Sequence, residues 1–212
     1  MRRRGLRPAI LSRGYGGRLN GPVWVEPETH TFADVGDEPL MLAEDTPVMV
    51  ARRRDIGAKA IVAAGDFDVI VMDDGLQSPH LAKSLSLAVV NGARGIGNGR
   101  VFPAGPLRAP VDMQLPHVDA ILINGDGSAT ETPAFGTHDS LMPPMVQAHI
   151  VPQPIASIGP NCRVLVFAGI AAPDRVFASA KALGLDVAAT RSFPDHHAFR
   201  DDDAVDLART AD

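Results

Sequence analysis

Two neighbouring carboxylates follow a strongly apolar segment of the chain. Asp73 and Asp74 come directly after residues 69–72, Val-Ile-Val-Met, and Gly75 follows them. Carboxylates at the C-terminal end of a parallel strand lie where α/β sheets bind ligands, and they can hold Mg²⁺ beside nucleotide phosphates. The pattern is that of a Walker B strand. A strand that simply ends in an Asp-Gly turn explains the same residues equally well, so both interpretations stay open.

A glycine-rich segment, residues 11–18 with the sequence LSRGYGGR, carries Ser12, Arg13 and Tyr15. Glycines let backbone amides approach an anion, and an arginine donates forked hydrogen bonds that match phosphate oxygens. The segment therefore favours phosphate binding. Its spacing fits neither G-x-G-x-x-G nor G-x-x-x-x-G-K-[ST], and a flexible surface turn is the alternative.

An acidic pair, Asp37 and Glu38, stands between Gly36 and Pro39 in a segment that we expect to be a rigid loop. A carboxylate held in this way can accept the proton of a hydroxyl group during phosphoryl transfer. His196, in the distant sequence FPDHHAF, is a candidate partner that would orient or tune the carboxylate. A solvated histidine pair is the alternative. We discount zinc, because no Cys or further His stands at ligand spacing.

A fourth segment, residues 97–108, is dense in Gly and Pro and carries Arg100 and Arg108. Proline restricts the unfolded chain, so ordering this segment costs less entropy than its length suggests. The two arginines could then clamp an anionic substrate. A structural loop with solvated arginines is the alternative.

The composition excludes several classes of protein. The 212 residues carry 20 Lys+Arg against 25 Asp+Glu, a formal net charge of -5, and are 45% hydrophobic, which is ordinary for a globular protein. Because the net charge is negative and aromatic residues make up only 5%, nucleic-acid binding is disfavoured. The arginine clusters at 2–4 and 52–54 are expected to be solvated surface charge. A single cysteine, Cys162, favours a reducing compartment and therefore the cytoplasm.

The elements that must position these residues alternate along the chain. Short β-branched runs predict strands at 8–11, 48–51, 69–72, 85–90, 120–123, 163–167 and 187–190. Helices are predicted at 55–64, at 173–183 and from 201 onward. We therefore expect an α/β fold, a mostly parallel sheet flanked by helices. Lobes at 1–125 and 161–212 are expected to be joined by a connecting segment at 126–160.

Six ordered blocks of the sequence resemble the tetraacyldisaccharide 4'-kinase family, the lipid A 4'-kinases of Gram-negative bacteria. They are residues 11–18 (LSRGYGGR), 36–41 (GDEPLM), 73–77 (DDGLQ), 97–108 (GNGRVFPAGPLR), 167–173 (FAGIAAP) and 193–199 (FPDHHAF). The resemblance implies a P-loop NTPase-like α/β kinase with a second, smaller lobe. It implies transfer of the ATP γ-phosphate, with Mg²⁺, to the 4'-hydroxyl of a tetraacylated glucosamine disaccharide 1-phosphate. The implied location is the cytoplasmic face of the inner membrane, as a peripheral protein.

The resemblance also implies roles for individual residues. It makes Asp37 the catalytic base and His196 its partner. Asp73 and Asp74 match the acids that serve the nucleotide and the metal. Two further groups of residues are implied, one that assists nucleotide binding and one that lines the substrate site. The helpers on the nucleotide side are Glu38 and Gln77, and the phosphate or disaccharide site is lined by Ser12, Arg13, Tyr15 and Arg108.

The family's Walker A loop, G-x-x-x-x-G-K-[ST], has no counterpart in the 212 residues. We therefore expect an internal fragment or a misannotated start, and no useful phosphoryl transfer by the chain as it stands. Two other functions stay open. One is an α/β remnant that binds a glycolipid or a nucleotide without turnover, and the other is a different P-loop-like sugar kinase or ATPase.

Overall fold

The computed structural model describes residues 1–125, 142–154, 156–159 and 161–211. The chain divides into two compact units, Met1–His149 and Ile150–Asp212. The predicted connecting segment, 126–160, spans this division, and residues 126–141 of it lie outside the described residues. The predicted lobe boundaries therefore stay a prediction.

The first unit contains a four-stranded sheet built on β1 (Pro8–Ser12). Its parallel neighbours are β3 (Val48–Val50) and β4 (Val69–Met72), and β2 (Val23–Trp24) adds an antiparallel edge strand, in the order β2-β3-β1-β4. Valine and isoleucine dominate β3 and β4 because branched side chains suit a pleated, buried surface. Since β1, β3 and β4 are parallel, the residues that follow each of them lie along one edge of the sheet.

Helices pack on this sheet through two apolar clusters. Leu11, Met49 and Ile61 belong to one cluster, to which α3 (Arg54–Ala64) contributes. The other contains Val35, Val48 and Val50, where Val35 ends the short helix α1 (Phe32–Val35) that precedes α2 (Asp37–Ala43). Met49 joins the first cluster and its neighbours Val48 and Val50 join the second, as the pleat of a strand requires. Both faces of the sheet are thus covered.

Gly57 lets α3 approach the sheet closely. A Cβ atom on Gly57 would lie 2.6 Å from Ala51 Cβ and 2.7 Å from Leu11 Cδ1. Glycine inside a helix costs about 1 kcal/mol relative to alanine. The close contact with β1 and with the end of β3 is the packing reason for a glycine here.

A second sheet in the first unit contains three parallel strands, β5 (Leu87–Asn91), β6 (Ala120–Asn124) and β7 (Met145–Ala148), in that order. Helix α4 (Val111–Gln114) and a short 3-10 turn, Leu115–His117, precede β6. Ile121 and Ile123 of the central strand are buried, whereas Val89 of β5 and Val146 of β7 are exposed.

The second unit has two parallel strands, β8 (Arg163–Ala168) and β9 (Asp186–Ser192), with helices α5 (Pro173–Ala182) and α6 (Asp201–Ala211). Proline occupies the first turn of α5, where its missing N–H would have no partner within the helix. Phe167 lies 5.4 Å, centroid to centroid, from Phe199, which lies 5.0 Å from Phe193, and all three ring pairs meet edge to face.

The predicted parallel α/β architecture is confirmed. Each predicted strand and each of the helices predicted at 55–64 and 173–183 is present, with ends within two residues of those expected. The sequence did not predict β2, β7, α1, α2 or α4. The prediction of a rigid loop at 36–41 is wrong, because Asp37 begins helix α2.

No helix in the described part of the chain combines the length and the apolar character that crossing a bilayer requires.

Candidate functional site at the carboxyl ends of β1, β3 and β4

Ser12 and Asp73 lie side by side at one edge of the first sheet. Leu11 of β1 is in register with Met72 of β4, so the next residue of each strand falls at the same level. The buried Ser12 hydroxyl donates a hydrogen bond to Asp73 Oδ2 over 3.1 Å. The Asp73 amide also donates to the Leu11 carbonyl over 3.1 Å. Two segments that the sequence singled out separately therefore meet, and the first carboxylate of the pair has a fixed position.

Asp74, the second carboxylate, forms an ion pair with Arg108. Its Oδ2 atom lies 2.7 Å from Arg108 Nη1, and the two side chains are 62% and 65% exposed. Asp74 has a φ angle of 53°, a left-handed conformation that Asp tolerates in turns. Because an exposed ion pair contributes little to stability, Arg108 can exchange Asp74 for another anion at small cost.

Arg54, at the start of α3, is the functional candidate that the sequence analysis missed. Its Nη2 atom donates to the Asp73 carbonyl over 2.8 Å, and its buried Nε atom has no hydrogen-bond partner among the described residues. Burial lowers the pKa of the guanidinium, and the charges of Arg13 and Arg108 act in the same direction. The carboxylates of Asp74 and Asp73 oppose that shift. The expectation that arginines 52–54 are solvated surface charge is therefore wrong for Arg54.

This group of residues, Arg13, Arg54, Asp73, Asp74 and Arg108, is called the arginine–aspartate cluster below. Three guanidinium groups against two carboxylates leave it with one surplus positive charge. Such a surplus suits a ligand that is an anion, and a planar guanidinium matches phosphate oxygens in particular. The sequence did offer one signal for Arg54. It follows β3, and the carboxyl ends of β1, β3 and β4 share the edge of the sheet where the site lies.

The glycine-rich loop lies directly against the junction of α1 and α2. A Cβ atom on Gly17 would lie 2.6 Å from the carbonyl carbon of Val35, and one on Gly36 would collide with the carbonyl oxygen of Tyr15. Gly36 also has a φ angle of 94°, which a side chain would strain. Asp37 is the next residue after Gly36, so the close packing holds it beside the loop that begins at Ser12.

Asp37 and Glu38 form the first turn of α2, and both side chains are exposed. Pro39 follows them in the same turn, where a proline is tolerated because its missing N–H would have had no partner within the helix. Gly36 and Pro39 therefore start a helix here, and the carboxylates stand at its beginning.

Asp34 and Arg18 fasten the other end of the glycine-rich loop. Arg18 Nε donates to Asp34 Oδ1 over 2.7 Å, while the hydroxyl and the amide of Thr31 donate to Asp34 Oδ2. Hydrogen bonds from Thr31 first, and from Arg18 second, lower the pKa of Asp34 to about 2. Asp34 thus stays ionised and caps α1, a role that the sequence analysis did not identify.

Gln77 makes a side-chain hydrogen bond with another glutamine. Its Nε2 atom donates to Gln114 Oε1 over 2.6 Å, and Gln114 Nε2 donates in turn to the Ala109 carbonyl over 2.6 Å. Ala109 follows Arg108, so this chain of hydrogen bonds links the end of the DDGLQ block with the segment that carries Arg108.

His196 lies in the second unit. It has a φ angle of 55°, its amide donates to the Gly169 carbonyl over 3.1 Å, and its Nε2 atom lies 3.9 Å from Asp195 Oδ2. The adjacent His197 is held differently, with Nε2 at 3.0 Å from Asp203 Oδ2 and its ring stacked on Phe193. The pairing of His196 with Asp37 of the first unit stays a prediction.

Comparison with known proteins gives a consistent result. A family model described as Tetraacyldisaccharide-1-P 4'-kinase matches residues 1–212. A tetraacyldisaccharide 4'-kinase of Methylobacterium nodulans is 52% identical over 212 residues, covering 100% of this chain and 62% of that protein. One of Nitrobacter hamburgensis is 50% identical over 215 residues, covering 100% and 63%.

A solved structure has the same fold. The crystal structure of "apo" form LpxK from Aquifex aeolicus in complex with ATP matches with a TM-score of 0.71 and 23% identity, covering 93% of this chain and 65% of that one. The chain spans about three fifths of the length of the curated relatives it matches. The match over all 212 residues nevertheless shows that the chain belongs to the tetraacyldisaccharide-1-P 4'-kinase family.

Proposed function

We propose that the protein acts as a kinase that transfers the γ-phosphate of ATP to the 4'-hydroxyl of a tetraacyldisaccharide 1-phosphate in lipid A biosynthesis. Family membership supports the reaction, and the ATP bound to the Aquifex aeolicus protein supports the donor. The observation that carries the proposal is the arginine–aspartate cluster. It places guanidinium groups beside two carboxylates at the carboxyl ends of parallel strands, where α/β proteins bind phosphorylated ligands.

Asp73 and Asp74 would hold Mg²⁺. The donor chemistry fits, because Mg²⁺ takes oxygen ligands and is commonly held by one or two carboxylates together with phosphate and water oxygens. Ser12 fixes Asp73 through its hydroxyl. When bound, the metal neutralises phosphate charge as the phosphoryl group moves.

The arginines would bind the anionic groups of donor and acceptor. Arg108 is exposed and pairs with Asp74 at the surface, so it can turn to a phosphate. Arg54 holds the backbone of Asp73 and keeps a buried Nε–H without a partner among the described residues, a donor that an anion would satisfy. Glu38 and Gln77 would assist on the nucleotide side. The acceptor side would be lined by Ser12, Arg13, Tyr15 and Arg108.

Asp37 would accept the proton of the 4'-hydroxyl, with His196 orienting or tuning it. A positioned general base contributes on the order of 10²–10⁴ in rate. The close contact of Gly17 and Gly36 with neighbouring backbone supports this role, because it fixes Asp37 beside the glycine-rich loop. The protein would work in the cytoplasm, peripherally on the inner membrane of a Gram-negative cell, where its lipid acceptor resides.

A chimera tests this function directly. The 212 residues would replace the matched region of the Methylobacterium nodulans relative, which supplies the rest of a kinase of known family. We expect the chimera to transfer ³²P from γ-labelled ATP to tetraacyldisaccharide 1-phosphate. The 212-residue chain by itself should be inactive, because it contains no G-K-[ST] sequence to hold the donor phosphates.

One control variant and two possible outcomes separate the alternatives. An Asp37→Asn chimera should lose turnover while its circular dichroism is unchanged. A folded chimera that binds ATP or lipid without turnover would favour a binding remnant. A chimera that phosphorylates a water-soluble glucosamine disaccharide as well as the lipid would favour a sugar kinase of another specificity.

A further inference from the structure

The segment between β5 and α4 ends in an exposed apolar tip. Phe102 is 80% exposed, and Pro103, Ala104 and Pro106 beside it are exposed as well. Removing the apolar surface of such an exposed phenylalanine from water is favourable through the hydrophobic effect. Exposed apolar side chains that stand together, rimmed by polar residues, mark interaction surfaces.

The tip is held in shape by its own hydrogen bonds. The Phe102 amide donates to the Leu107 carbonyl over 2.8 Å, and the Leu107 amide donates to the Arg100 carbonyl over 3.1 Å. Asn98 closes the base, since its Nδ2 donates to the Ala104 carbonyl over 2.8 Å and its Oδ1 accepts from the Arg100 amide over 3.1 Å. Because the backbone is already ordered, little conformational entropy would be lost when the tip binds.

The charged side chains within this segment all have one sign. Residues 91–111 contain Arg94, Arg100 and Arg108 and neither Asp nor Glu, in a chain whose formal net charge is -5. Arg94 and Arg100 are exposed. Arginine stems can lie along apolar surface while their guanidinium groups reach a polar or anionic layer. An apolar tip with cationic flanks matches the layered chemistry of an anionic bilayer, hydrocarbon below and phosphate above.

The tip is also connected to the proposed site. Arg108, directly after Leu107, forms the ion pair with Asp74 in the arginine–aspartate cluster. A bilayer contacted by Phe102 would therefore lie next to the residues proposed to bind the phosphates. That position suits an acceptor whose acyl chains stay in the membrane.

We infer that residues 98–107 form a lipid-docking tip, in which Phe102 enters the interface of an anionic bilayer and Arg100 contacts lipid phosphates. The inference rests on the proposed function only in taking the acceptor to be a membrane lipid. Binding to vesicles requires neither ATP nor turnover, so it can be measured on the 212-residue chain.

Co-sedimentation with vesicles tests the tip. The wild-type chain should bind mixed vesicles that contain both phosphatidylglycerol and phosphatidylcholine. It should bind vesicles of phosphatidylcholine alone much more weakly. Phe102→Ser should weaken binding to the anionic vesicles roughly tenfold, because the apolar contact is lost. Arg100→Gln should weaken it about fivefold and reduce its salt dependence. Val62→Ser, which removes a 71% exposed apolar side chain from α3, should leave binding unchanged.

A fluorescence experiment gives a second readout. Phe102→Trp should retain binding and show a blue-shifted emission on addition of anionic vesicles, whereas Val62→Trp should show no shift. Equal binding by wild type and Phe102→Ser, no binding by wild type, or no shift for Phe102→Trp would each overturn the inference. Loss of vesicle binding in Phe102→Ser together with an inactive chimera would support the tip and contradict the proposed kinase function.

Discussion

Ser12 Oγ donates a hydrogen bond over 3.1 Å to Asp73 Oδ2, which joins the glycine-rich loop to the first residue after β4. We predict that Ser12→Ala raises the Mg²⁺ concentration needed for half-maximal phosphoryl transfer by the chimera. The expected change is about two- to tenfold, the range that corresponds to one net hydrogen bond. A Mg²⁺ titration of initial rates measures it, with the exposed Ser84→Ala as matched control.

Asp73→Asn should act in the same direction and more strongly, because it removes a charge that the metal would need. If both variants lost affinity for the lipid acceptor and kept the wild-type Mg²⁺ dependence, Asp73 would belong to the acceptor site instead.

Asp37 and His196 should behave as one catalytic unit. In the chimera, Asp37→Ala and His196→Ala should each lower kcat by on the order of 10²-fold or more, and the double variant should be little worse than either. Residues that act together give such non-additive losses.

His197→Gln is the matched control for this cycle. His197 contacts Asp203 and stacks on Phe193, so its loss should affect stability and leave kcat close to wild type. Losses for Asp37 and His196 that multiply independently would contradict the pairing.

The guanidinium of Arg54 is expected to lower the free energy of unfolding. Burial lowers the pKa of its guanidinium, so the folded state disfavours this charge relative to the unfolded chain. We expect Arg54→Met to raise the free energy of unfolding and to reduce phosphoryl transfer, a trade-off found at other functional sites. Urea denaturation of the chain and initial rates of the chimera measure the two effects.

Arg53→Met provides the comparison, since Arg53 is exposed and pairs with Asp55 within its own turn. It should change neither stability nor rate appreciably. An Arg54→Met chain much less stable than wild type would show that the guanidinium has a structural function.

The network of Asp34, Thr31 and Arg18 should appear in the pH dependence of stability. The folded-state pKa of Asp34 is about 2, below the roughly 3.9 of an unfolded Asp. Its contribution is therefore present above about pH 4 and is lost as the pH falls toward 2. Urea unfolding across this range should show a smaller decline of stability for Asp34→Asn than for wild type. Asp202→Asn, an exposed aspartate of α6, should keep the wild-type slope.

The strands were predictable because each buried parallel strand has a local signature. The run Val69–Met72, for example, is continuously apolar and is observed with the expected ends. Strand β7 could not be found in this way, because Met145–Ala148 includes a polar Gln147 and a single β-branched residue. Helix α2 was missed because glycine and proline indicate a loop, although proline is acceptable in a first helical turn.

The site could be predicted only where chemistry was visible in local sequence. Asp73, Asp74 and the glycine-rich loop stood out by composition. Arg54 did not, because its position after β3 indicates only the shared edge of the sheet, whereas its contact with Asp73 depends on the strand order β2-β3-β1-β4. Such proximity between distant segments is a property of topology that no run of neighbouring residues records.

The two sheets of the first unit have a practical consequence for handling the protein. Within the described residues, β4 and β5 are the outermost strands of their sheets, and both carry exposed valines, Val71 and Val89. An outer strand offers unsatisfied backbone amides and carbonyls to any extended polypeptide nearby. At high concentration these edges would template self-association of the 212-residue chain. Its aggregation should therefore rise steeply with protein concentration and decrease when a charged residue replaces Val89.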